Sequence, residues 1–510
     1  MNGPDLKIPD DYRSRESVHY FDDVAFLDGD VIHQPEVYDA ADYLLKAGGR
    51  RTIIDIGCGN GRKLKKVGAE RHIGIDFGPN IDFCRKYYGT WGEWHEQDLT
   101  QPDCVQWAEL ADHTALVVCA DVVEHLLDPT PLLALLAACY QRGAQVLTST
   151  PDRVRGRDHK GPPPNPSHIR EWALDEYTAL LKAVGLPSVF AGYTINNSQA
   201  REPKTIVTLH DRMMDELTKN RTEAKPSARP LAILAAYNEA DIIRDTITDW
   251  LDQGCDVHCL DNWSTDKTGE ILDKLHRVHG DRVTVERFPP DESVPHGEWK
   301  AILARKATIA ASHPGRWIIH SDADELRRAP FPGMTIAQAL DIARQSGANR
   351  VHFNLINFRP TDELPYQPGT LKRHFSFFEF GTLPGHFLQA KAWIQGEGAV
   401  DLVSSGGHIA KFQHAKDFVY RFLLKHYPIR SAAHGQKKVL HERVSRWSPE
   451  EMAKGWHRQY EVLAADPSFI WDPAFLFAYD SDFWADHGLA ILTDLPERRS
   501  RQGLTVARGR

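Results

Sequence analysis

The feature that most constrains the fold is an alternation of strand and helix patterns, which occurs twice along the chain. In the first half, short apolar runs such as TIIDIG (52–57) and ALVVCAD (115–121) alternate with helical patterns. The alternation restarts with LAILAAYN (231–238) and continues through DVHCLD (256–261) and RWIIHSDADE (316–325). Strands that alternate with helices indicate a largely parallel sheet with helices on both faces. We therefore predict an α/β protein with two such sheets.

The length of the chain agrees with two domains, because 510 residues exceed what one hydrophobic core usually holds. A polar, charged stretch without apolar periodicity separates the two series of strands and predicts the boundary. Within the first series, SVFAGYT (188–194) and KTIVTLH (204–210) predict a final antiparallel pair. After about residue 415 the pattern predicts helices. The expected division is a first domain at 1–212, a linker at 213–228, a second domain at 229–495 and a basic flexible tail at 496–510.

Composition excludes several classes of protein. The formal net charge is -9, and no basic stripe suggests a nucleic-acid partner. The longest apolar run, PLLALLAACY (131–140), is too short for a transmembrane segment, and the first residues lack the apolar region of a signal peptide. The seven cysteines include no C-x-x-C pair, so we expect reduced thiols. These features predict a cytoplasmic protein and are compatible with peripheral contact at the inner face of a membrane.

A glycine-rich loop follows the first strand of the first domain. It reads Asp55-Ile56-Gly57-Cys58-Gly59-Asn60-Gly61, with the spacing G-x-G-x-G. Asp76, Asp98 and Asp121 follow the next three strands. Because the carboxyl ends of parallel strands meet at one edge of a sheet, the loop and the three acids are expected to share one ligand crevice.

This set resembles the class I S-adenosylmethionine (SAM)-dependent methyltransferases over about residues 35–210. The resemblance implies SAM as the cofactor, with the glycine loop at its methionine end, Asp76 at the ribose and Asp98 at the adenine. A Rossmann domain for another nucleotide is the alternative. The cofactor-binding residues expected in this way are Asp55, Gly57, Cys58, Gly59, Gly61, Asp76, Phe77, Asp98, Leu99 and Asp121.

Methyl transfer to a hydroxyl needs a base beside the reacting oxygen. His125 follows the fourth strand, and His168 lies in the variable segment that would cover the acceptor. Both are candidate catalytic bases, because histidine titrates near neutrality. A structural role in a helix is the alternative for His125. Arg170 and Glu171 either bind polar groups of the acceptor or belong to the plain surface.

Three motifs close strands of the second domain. They are Ala236-Tyr237-Asn238-Glu239, Asp261-Asn262-Trp263-Ser264-Thr265-Asp266 and Ser321-Asp322-Ala323-Asp324-Glu325. Carboxylates at positions i and i+2 offer hard oxygen ligands, and a divalent cation held there can neutralise a departing diphosphate. Acids that merely cap helices are the alternative.

The three motifs resemble those of family-2 glycosyltransferases with a GT-A fold. The resemblance implies a nucleotide-sugar donor and Mn²⁺ or Mg²⁺ bound by Asp322 and Asp324. It also implies a later histidine on the metal, for which His408 is the first candidate and His414 the second. Asn262 stands where the family usually has aspartate, so the usual contact to the nucleotide is in doubt and Asp261 is expected to replace it. Together the resemblances predict two Rossmann-like domains, a class I methyltransferase fold and a GT-A fold with a helical C-terminal region.

Other residues of the second domain are candidates for substrate contacts. The segment HYPIRS (426–431) resembles a C-terminal block of bacterial members of the superfamily, and its arginine with two later basic residues is expected either to hold phosphates or to form a solvated helix face. Asp362, Glu363 and Glu379 are alternative bases for the acceptor hydroxyl. The expected substrate-binding residues are Ala236, Tyr237, Asn238, Glu239, Asp261, Asn262, Lys300, Arg305, Asp322, Arg430, Lys438 and Arg443.

These observations lead to one functional hypothesis with two alternatives. The second domain is expected to transfer a sugar from a nucleotide sugar to a glycan or lipid-linked acceptor. The first domain is expected to methylate a sugar hydroxyl in the same surface polysaccharide or glycoconjugate pathway. In the alternatives, the first domain is a binding or docking module, or it acts on an unrelated small molecule.

Overall fold

The computed structural model describes ten stretches of the chain, which fall into two compact units divided within residues 220–227. The predicted tail at 496–510 lies outside the described residues. The stretches are 8–9, 11–16, 32–154, 162–197, 204–219, 228–291, 299–331, 333–381, 385–443 and 468–479.

A seven-stranded sheet forms the centre of the first unit. Its strands are β1 Thr52–Ile56, β2 Arg71–Asp76, β3 Glu93–Glu96, β4 Ala115–Ala120, β5 Gln145–Pro151, β6 Phe190–Thr194 and β7 Thr205–His210. The spatial order is β3-β2-β1-β4-β5-β7-β6. The first five strands are parallel, and β7 runs antiparallel to both β5 and β6. This is the doubly wound order 3-2-1-4-5, extended by the predicted antiparallel pair.

Five helices are described in the first unit: α1 Pro35–Ala47, α2 Pro79–Tyr88, α3 Thr130–Gln141, α4 Leu174–Ala183 and α5 Arg212–Lys219. The first three carry proline in their first two positions, where the missing N–H breaks no helical hydrogen bond. All six residues of β4 are buried, which explains its continuous apolar sequence.

Helix α5 lies in the stretch that the sequence assigned to the linker. Its Met214 is buried, and Asp215 accepts a hydrogen bond of 3.0 Å from the Tyr140 hydroxyl of α3. The helix therefore packs on the first unit. Its sequence is mostly polar because only one side is covered.

The second unit contains a larger, mixed sheet. Its strands are β8 Leu231–Ala236, β9 Asp256–Asp261, β10 Val283–Arg287, β11 Trp317–His320, β12 Glu325–Arg328, β13 Arg350–Phe358, β14 Phe377–Phe380, β15 Leu388–Ile394, β16 Phe422–His426 and β17 Phe477–Ala478. The order is β10-β9-β8-β11-β15-β13-β14-β17, and β16 joins β12 to β13. The four strands from β10 to β11 are parallel, and β15 is antiparallel to β11. Parallel strands therefore carry the three motifs, and antiparallel strands extend the sheet.

The described helices of this unit are α6 Ile243–Asp252, α7 Thr268–His279, α8 Trp299–Ala311, α9 Ile336–Gln345, α10 Leu371–His374 and α11 Ala432–Gly435. A π-helical segment, Gln436–Arg443, follows α11. The helical pattern expected after residue 415 therefore begins at Ala432, because β16 precedes it. Phe422, Leu423 and Leu424 of β16 are buried between two neighbouring strands.

The structure also describes the state of the cysteines and the lengths of the helices. All seven cysteines are buried and form no disulfide. Among the described residues, no helix has the length and apolar character needed to cross a lipid bilayer.

The buried histidine at the end of β7 makes stability depend on pH. Burial lowers the pKa of His210 from 6.5 to about 4, and its Nδ1 lies 3.0 Å from the carbonyl oxygen of Pro187. The unfolded chain therefore binds this proton more readily, so stability should fall as pH drops from 6.5 to about 4. Calorimetry should show a shallower fall for His210→Gln than for the exposed control His113→Gln; equal slopes would contradict the assignment.

Candidate functional sites

The glycine loop after β1 needs glycine for two physical reasons. Gly57, Gly59 and Gly61 have φ values of 78°, 54° and 70°, in the left-handed region. A Cβ on Gly57 would also lie 2.4 Å from Cγ2 of Val122. The loop therefore passes close to the segment after β4, at the carboxyl edge of the sheet.

Asp76 lies at the end of β2 and is 8% exposed. Its Oδ2 accepts a hydrogen bond of 2.7 Å from the Gly59 N–H, and its Oδ1 accepts one of 2.8 Å from the Phe77 N–H. Two main-chain N–H groups therefore fix the Asp76 carboxylate at the glycine loop. Phe77 itself is 37% exposed beside it.

The other acids of the first unit differ in their surroundings. Asp55 is fully buried and accepts from the Tyr38 hydroxyl at 3.0 Å, so it anchors α1 beneath the loop. Asp98 accepts from the N–H and hydroxyl of Thr100 within its own turn. Asp121 has a φ of 52° and accepts from Ser149 Oγ at 2.7 Å. Cys58 lies in the glycine loop and Leu99 follows Asp98, and both side chains are buried.

The structure brings the two candidate histidine bases together. The ring centroids of His125 and His168 are 4.8 Å apart in an edge-on arrangement. Burial lowers the pKa of His125 to about 4. Glu124, which the sequence analysis did not select, lies beside them and is fully buried, and burial raises the pKa of its carboxyl well above the usual value. Its place next to His125 in the motif after β4 was the available signal.

Two neighbouring residues have structural partners. Arg170 is buried and donates hydrogen bonds to the carbonyl oxygens of Leu126 and Leu127. Glu171 is buried and contacts His168. Neither belongs to the plain surface, and the arginine fixes the segment after β4.

In the second unit, the first two motifs interlock. Asn238 has a φ of 54°, and its Oδ1 accepts from the Thr265 N–H at 2.8 Å. Asn262 is buried and donates to the Phe288 carbonyl oxygen at 2.8 Å. Asp261 accepts at 3.2 Å from the N–H of Ser264. Asn262 therefore has a structural role, and Asp261 and Asp266 are the two carboxylates of this motif. Ala236 and Tyr237 lead from β8 into the loop.

A buried charge network connects the first and third motifs. The Arg430 side chain is fully buried and pairs with Glu239 at 2.6 Å and with Asp241 at 2.7 Å. The Lys438 ammonium lies 3.0 Å from Glu239 and 2.8 Å from Asp324. Burial opposes ionisation of Asp324, but Lys438 holds the pKa of its carboxyl well below the usual range.

The third motif has one carboxylate oxygen without a hydrogen-bond partner. Oδ1 of Asp322 is buried and accepts no hydrogen bond from the described residues; Lys306 Nζ lies 3.6 Å away. Oδ1 of Asp324 faces Nε2 of His426 at 3.6 Å, and His426 Nδ1 contacts Asn357 Oδ1 at 2.8 Å. His426 is thus a neighbour of the motif that the sequence analysis missed, although it opens the HYPIRS segment.

The two histidines chosen from the sequence differ in their surroundings, and His408 is near enough to the third motif for Asp322 and Glu325 to act on its pKa. His408 Nδ1 contacts the Gly385 carbonyl oxygen at 2.7 Å and Gln389 at 2.9 Å. His414 is exposed. Within the described ranges, no three-residue ligand cluster combines Asp322, Asp324 and a histidine.

Three basic residues expected to contact substrate are already paired. Arg430 and Lys438 belong to the buried network, so neither is an exposed phosphate clamp. Arg305 forms a two-point ion pair with Glu286 at 2.8 and 2.9 Å. The sequence shows these charges but not the acids that fold against them. Lys300 is exposed in the first turn of α8, and the side chain of Arg443 lies outside the described residues.

The candidate acceptor bases occupy different places. Asp362 and Glu363 are exposed, and Asp362 accepts from the Leu364 N–H within its own turn. Glu379 of β14 pairs with Arg359 at 2.6 Å. Its cross-strand partner on β13 is Asn357, whose partner on β16 is His426. Residues directly opposite on neighbouring strands share a face, so Glu379 and His426 lie in one row across the sheet.

Two family models match the chain. A methyltransferase domain model matches residues 32–189, and the glycosyl transferase family 2 model matches residues 232–326. The chain carries a methyltransferase domain followed by a family 2 glycosyltransferase domain. It is therefore an enzyme with a SAM-dependent methyltransferase domain of class I fold and a glycosyltransferase domain.

Known proteins are similar to the methyltransferase domain. A probable S-adenosylmethionine-dependent methyltransferase of Mycolicibacterium smegmatis is 28% identical over 167 residues, which cover 31% of this chain and 62% of that relative, less than two thirds of its length. A solved SAM-dependent methyltransferase from Aquifex aeolicus aligns at 18% identity and a TM-score of 0.27, over 38% of this chain and 98% of its own. Magnesium protoporphyrin IX methyltransferase from Synechocystis, solved with bound SAH, aligns at 17% identity and a TM-score of 0.25, over 35% and 83%.

The buried network of the glycosyltransferase domain should carry a large share of its stability. Arg430→Ala removes the cation paired with Asp241 and one of the two cations paired with Glu239, so unfolding free energy should fall by about 3–5 kcal/mol. The exposed control Arg277→Ala should change it by less than about 0.5 kcal/mol. Denaturant titration of both variants provides the comparison; a small effect of Arg430→Ala would mean that Lys438 alone neutralises the acids.

Proposed function

We propose that the chain is a bifunctional enzyme of surface polysaccharide or glycoconjugate synthesis. The glycosyltransferase domain transfers a sugar from a nucleotide sugar to a glycan or lipid-linked acceptor, and the methyltransferase domain methylates a sugar hydroxyl in the same pathway. The observation that supports this proposal most directly is that each unit gathers its complete set of motifs at the carboxyl ends of its own parallel strands.

The residues of the first site fit SAM. The left-handed glycine loop admits a ligand close to the backbone, and the Asp76 carboxylate is held at that loop, where it is a hydrogen-bond acceptor suited to ribose hydroxyls. We assign Asp98 to the adenine and Asp121 to the methionine end. SAM supplies an electrophilic methyl group, and the cluster around His125 and His168 is where the acceptor hydroxyl is activated.

The residues of the second site fit a divalent cation. Oδ1 of Asp322 accepts no hydrogen bond from the described residues and is a hard ligand in the same motif as the Asp324 carboxylate. A divalent ion there would share these carboxylates with Lys306, 3.6 Å from Asp322 Oδ1, and with Lys438, 2.8 Å from Asp324 Oδ2. These two acids would hold the ion with the donor diphosphate, and His426 or His408 is the candidate histidine. Such an ion would neutralise charge on the leaving nucleotide. The proposal keeps the second domain at 229–495 and extends the first from residue 212 to Lys219, so that it includes α5.

We assign Glu379 as the acceptor base in preference to Asp362. It shares a sheet face with His426, next to the third motif, whereas Asp362 is exposed within a local turn. The Arg359 guanidinium lies 2.6 Å from Glu379 and fixes the position of its carboxyl group.

A common glycan would explain why two transferases occupy one chain. Linking two active sites raises the effective concentration of one product at the next site, provided that the acceptor reaches both. A long or lipid-linked glycan meets that requirement better than a monosaccharide.

Binding of SAM tests the first site. Asp76→Ala removes a charged acceptor for the ribose, so calorimetry should show about 10- to 100-fold weaker SAM binding, equivalent to about 1.4–2.7 kcal/mol. The matched control Asp82→Ala changes an exposed acid of α2 and should bind SAM like the wild type. Equal affinities in the two variants would remove Asp76 from the ribose role.

A double-label assay tests the shared pathway. Candidate acceptor glycans are incubated with nucleotide sugars, Mn²⁺ and methyl-labelled SAM, and products are analysed by mass spectrometry. We expect one glycan to gain both sugar and methyl, with sugar transfer lost in Asp324→Asn and methyl transfer lost in Asp76→Ala. A methyl label found solely on protein or on a non-carbohydrate metabolite would reject the proposal.

A further inference from the structure

Three side chains of the methyltransferase domain converge beside the end of β4. Glu124, His125 and His168 each offer one ligand atom, and these atoms all lie within 4.8 Å of one another. Two backbone hydrogen bonds join their segments, because the N–H groups of Ile169 and Arg170 donate to the Glu124 carbonyl oxygen at 2.7 and 3.5 Å. The three residues are therefore held together by the main chain.

The carboxylate of Glu124 is incompletely satisfied. Its side chain is fully buried, and Oε2 accepts from the Thr150 hydroxyl at 3.1 Å. Oε1 has no hydrogen-bond partner among the residues that the structure describes, and its ion-pair neighbour is Nε2 of His125 at 3.9 Å. A buried carboxylate oxygen without a donor is costly unless a proton or a bound cation neutralises its charge.

Both histidines are oriented as metal ligands usually are. The Nδ1 atom of His125 donates to the Ser167 carbonyl oxygen at 2.8 Å, and that of His168 donates to Glu171 Oε1 at 2.6 Å. Each neutral ring then carries its lone pair on Nε2. Ligating histidines typically donate the other ring N–H to a carbonyl or a carboxylate, which fixes the tautomer and the ring orientation.

One hydrogen bond at His168 Nε2 would have to give way to a metal ion. The amide Nδ2 of Asn165 donates to this nitrogen at 2.9 Å, while its Oδ1 accepts from the Ser167 N–H. A bound cation would displace this single amide hydrogen bond.

We propose that Glu124 Oε1, His125 Nε2 and His168 Nε2 form a binding site for a divalent transition-metal ion. Ligand atoms about 2.1 Å from one ion lie roughly 3–4 Å apart, close to the 3.9 Å between Glu124 Oε1 and His125 Nε2. Two imidazoles with one carboxylate favour Zn²⁺, Fe²⁺ or Mn²⁺ over Mg²⁺. Three protein ligands leave open positions for an oxygen-bearing acceptor.

The site specifies how the acceptor is activated, and this step rests on the proposed methyl transfer to a sugar hydroxyl. Two open positions would suit an acceptor with two neighbouring oxygens, such as a diol. An ion held by these three residues would lower the pKa of a bound hydroxyl, whose proton would pass to water. The alkoxide oxygen forms the O–CH3 bond as the S–CH3 bond breaks, and that bonding electron pair remains on sulfur. The histidines then act as ligands and not as proton acceptors.

A comparable cluster in the other unit is not suited to a metal ion. Glu239, Asp241 and His434 also lie within ligand distance of one another. The Arg430 guanidinium already contacts all three, at 2.6, 2.7 and 2.8 Å. Its positive charge occupies the position that a cation would take, whereas no lysine or arginine contact is described at Glu124 Oε1.

Metal binding is measured on the full chain, with Asp322→Ala and Asp324→Ala introduced together to remove the glycosyltransferase site. The protein is stripped with chelator and titrated with Zn²⁺ and with Co²⁺, whose absorption reports imidazole ligation. We expect one ion per chain. Glu124→Gln and His168→Gln should each weaken binding at least tenfold, and Glu171→Gln about 10- to 100-fold.

The control His113→Gln removes an exposed histidine outside the cluster and should bind the ion with unchanged affinity. SAM calorimetry on each variant verifies that the domain is folded. Equal ion binding in the Glu124→Gln, His168→Gln and control proteins would overturn the site, as would the lack of an ion in the parent. An ion bound in the parent without methylation of any glycan would instead reject the proposed acceptor and leave the metal site standing.

Discussion

The glycosyltransferase site depends on two buried basic side chains, Arg430 and Lys438, which occur late in the sequence of that domain. Arg430 neutralises Glu239 and Asp241, and Lys438 bridges Glu239 to Asp324. Without these cations, acids from two different strands would face each other in a low-dielectric interior, where removal of one partner of a buried pair is strongly destabilising. The antiparallel strands are needed to bring the HYPIRS segment back over the parallel half of the sheet, so folding and assembly of the site are one event.

The methyltransferase domain holds its cofactor loop in place with fewer charged side chains. Its cofactor loop is shaped by left-handed glycines and held by Asp76, which accepts main-chain N–H groups. The carboxylate of Glu124 differs, because among the described residues its Oε1 accepts no hydrogen bond and its ion-pair neighbour is His125 Nε2 at 3.9 Å. The hydrogen-bonding groups of Asp76 are thus paired with the backbone of the domain. The groups around Glu124 are arranged as the proposed ligand site requires.

The sequence predicts best what depends on local pattern. Both parallel sheets, the antiparallel pair in the first unit and the convergence of motifs at strand ends follow from periodicity and from the carboxyl-edge rule. Contacts between distant residues could not be predicted in this way. The charge of Arg430 is visible in the sequence, but its partners lie 189 and 191 residues away. The position of His426 beside Asp324 could not be predicted, because it arises from the pairing of β16 with β12, which no local pattern specifies.

The network also sets the size of the smallest unit that can retain a native site. The family 2 match ends at residue 326, whereas the cations that balance Glu239 and Asp324 stand at 430 and 438. A recombinant piece cut at the limits of the match would expose three acids to mutual repulsion with their counter-ions deleted. The limits of the family match therefore understate this folded module by more than one hundred residues, and the polypeptide that follows the parallel half of the sheet is an electrostatic component of it.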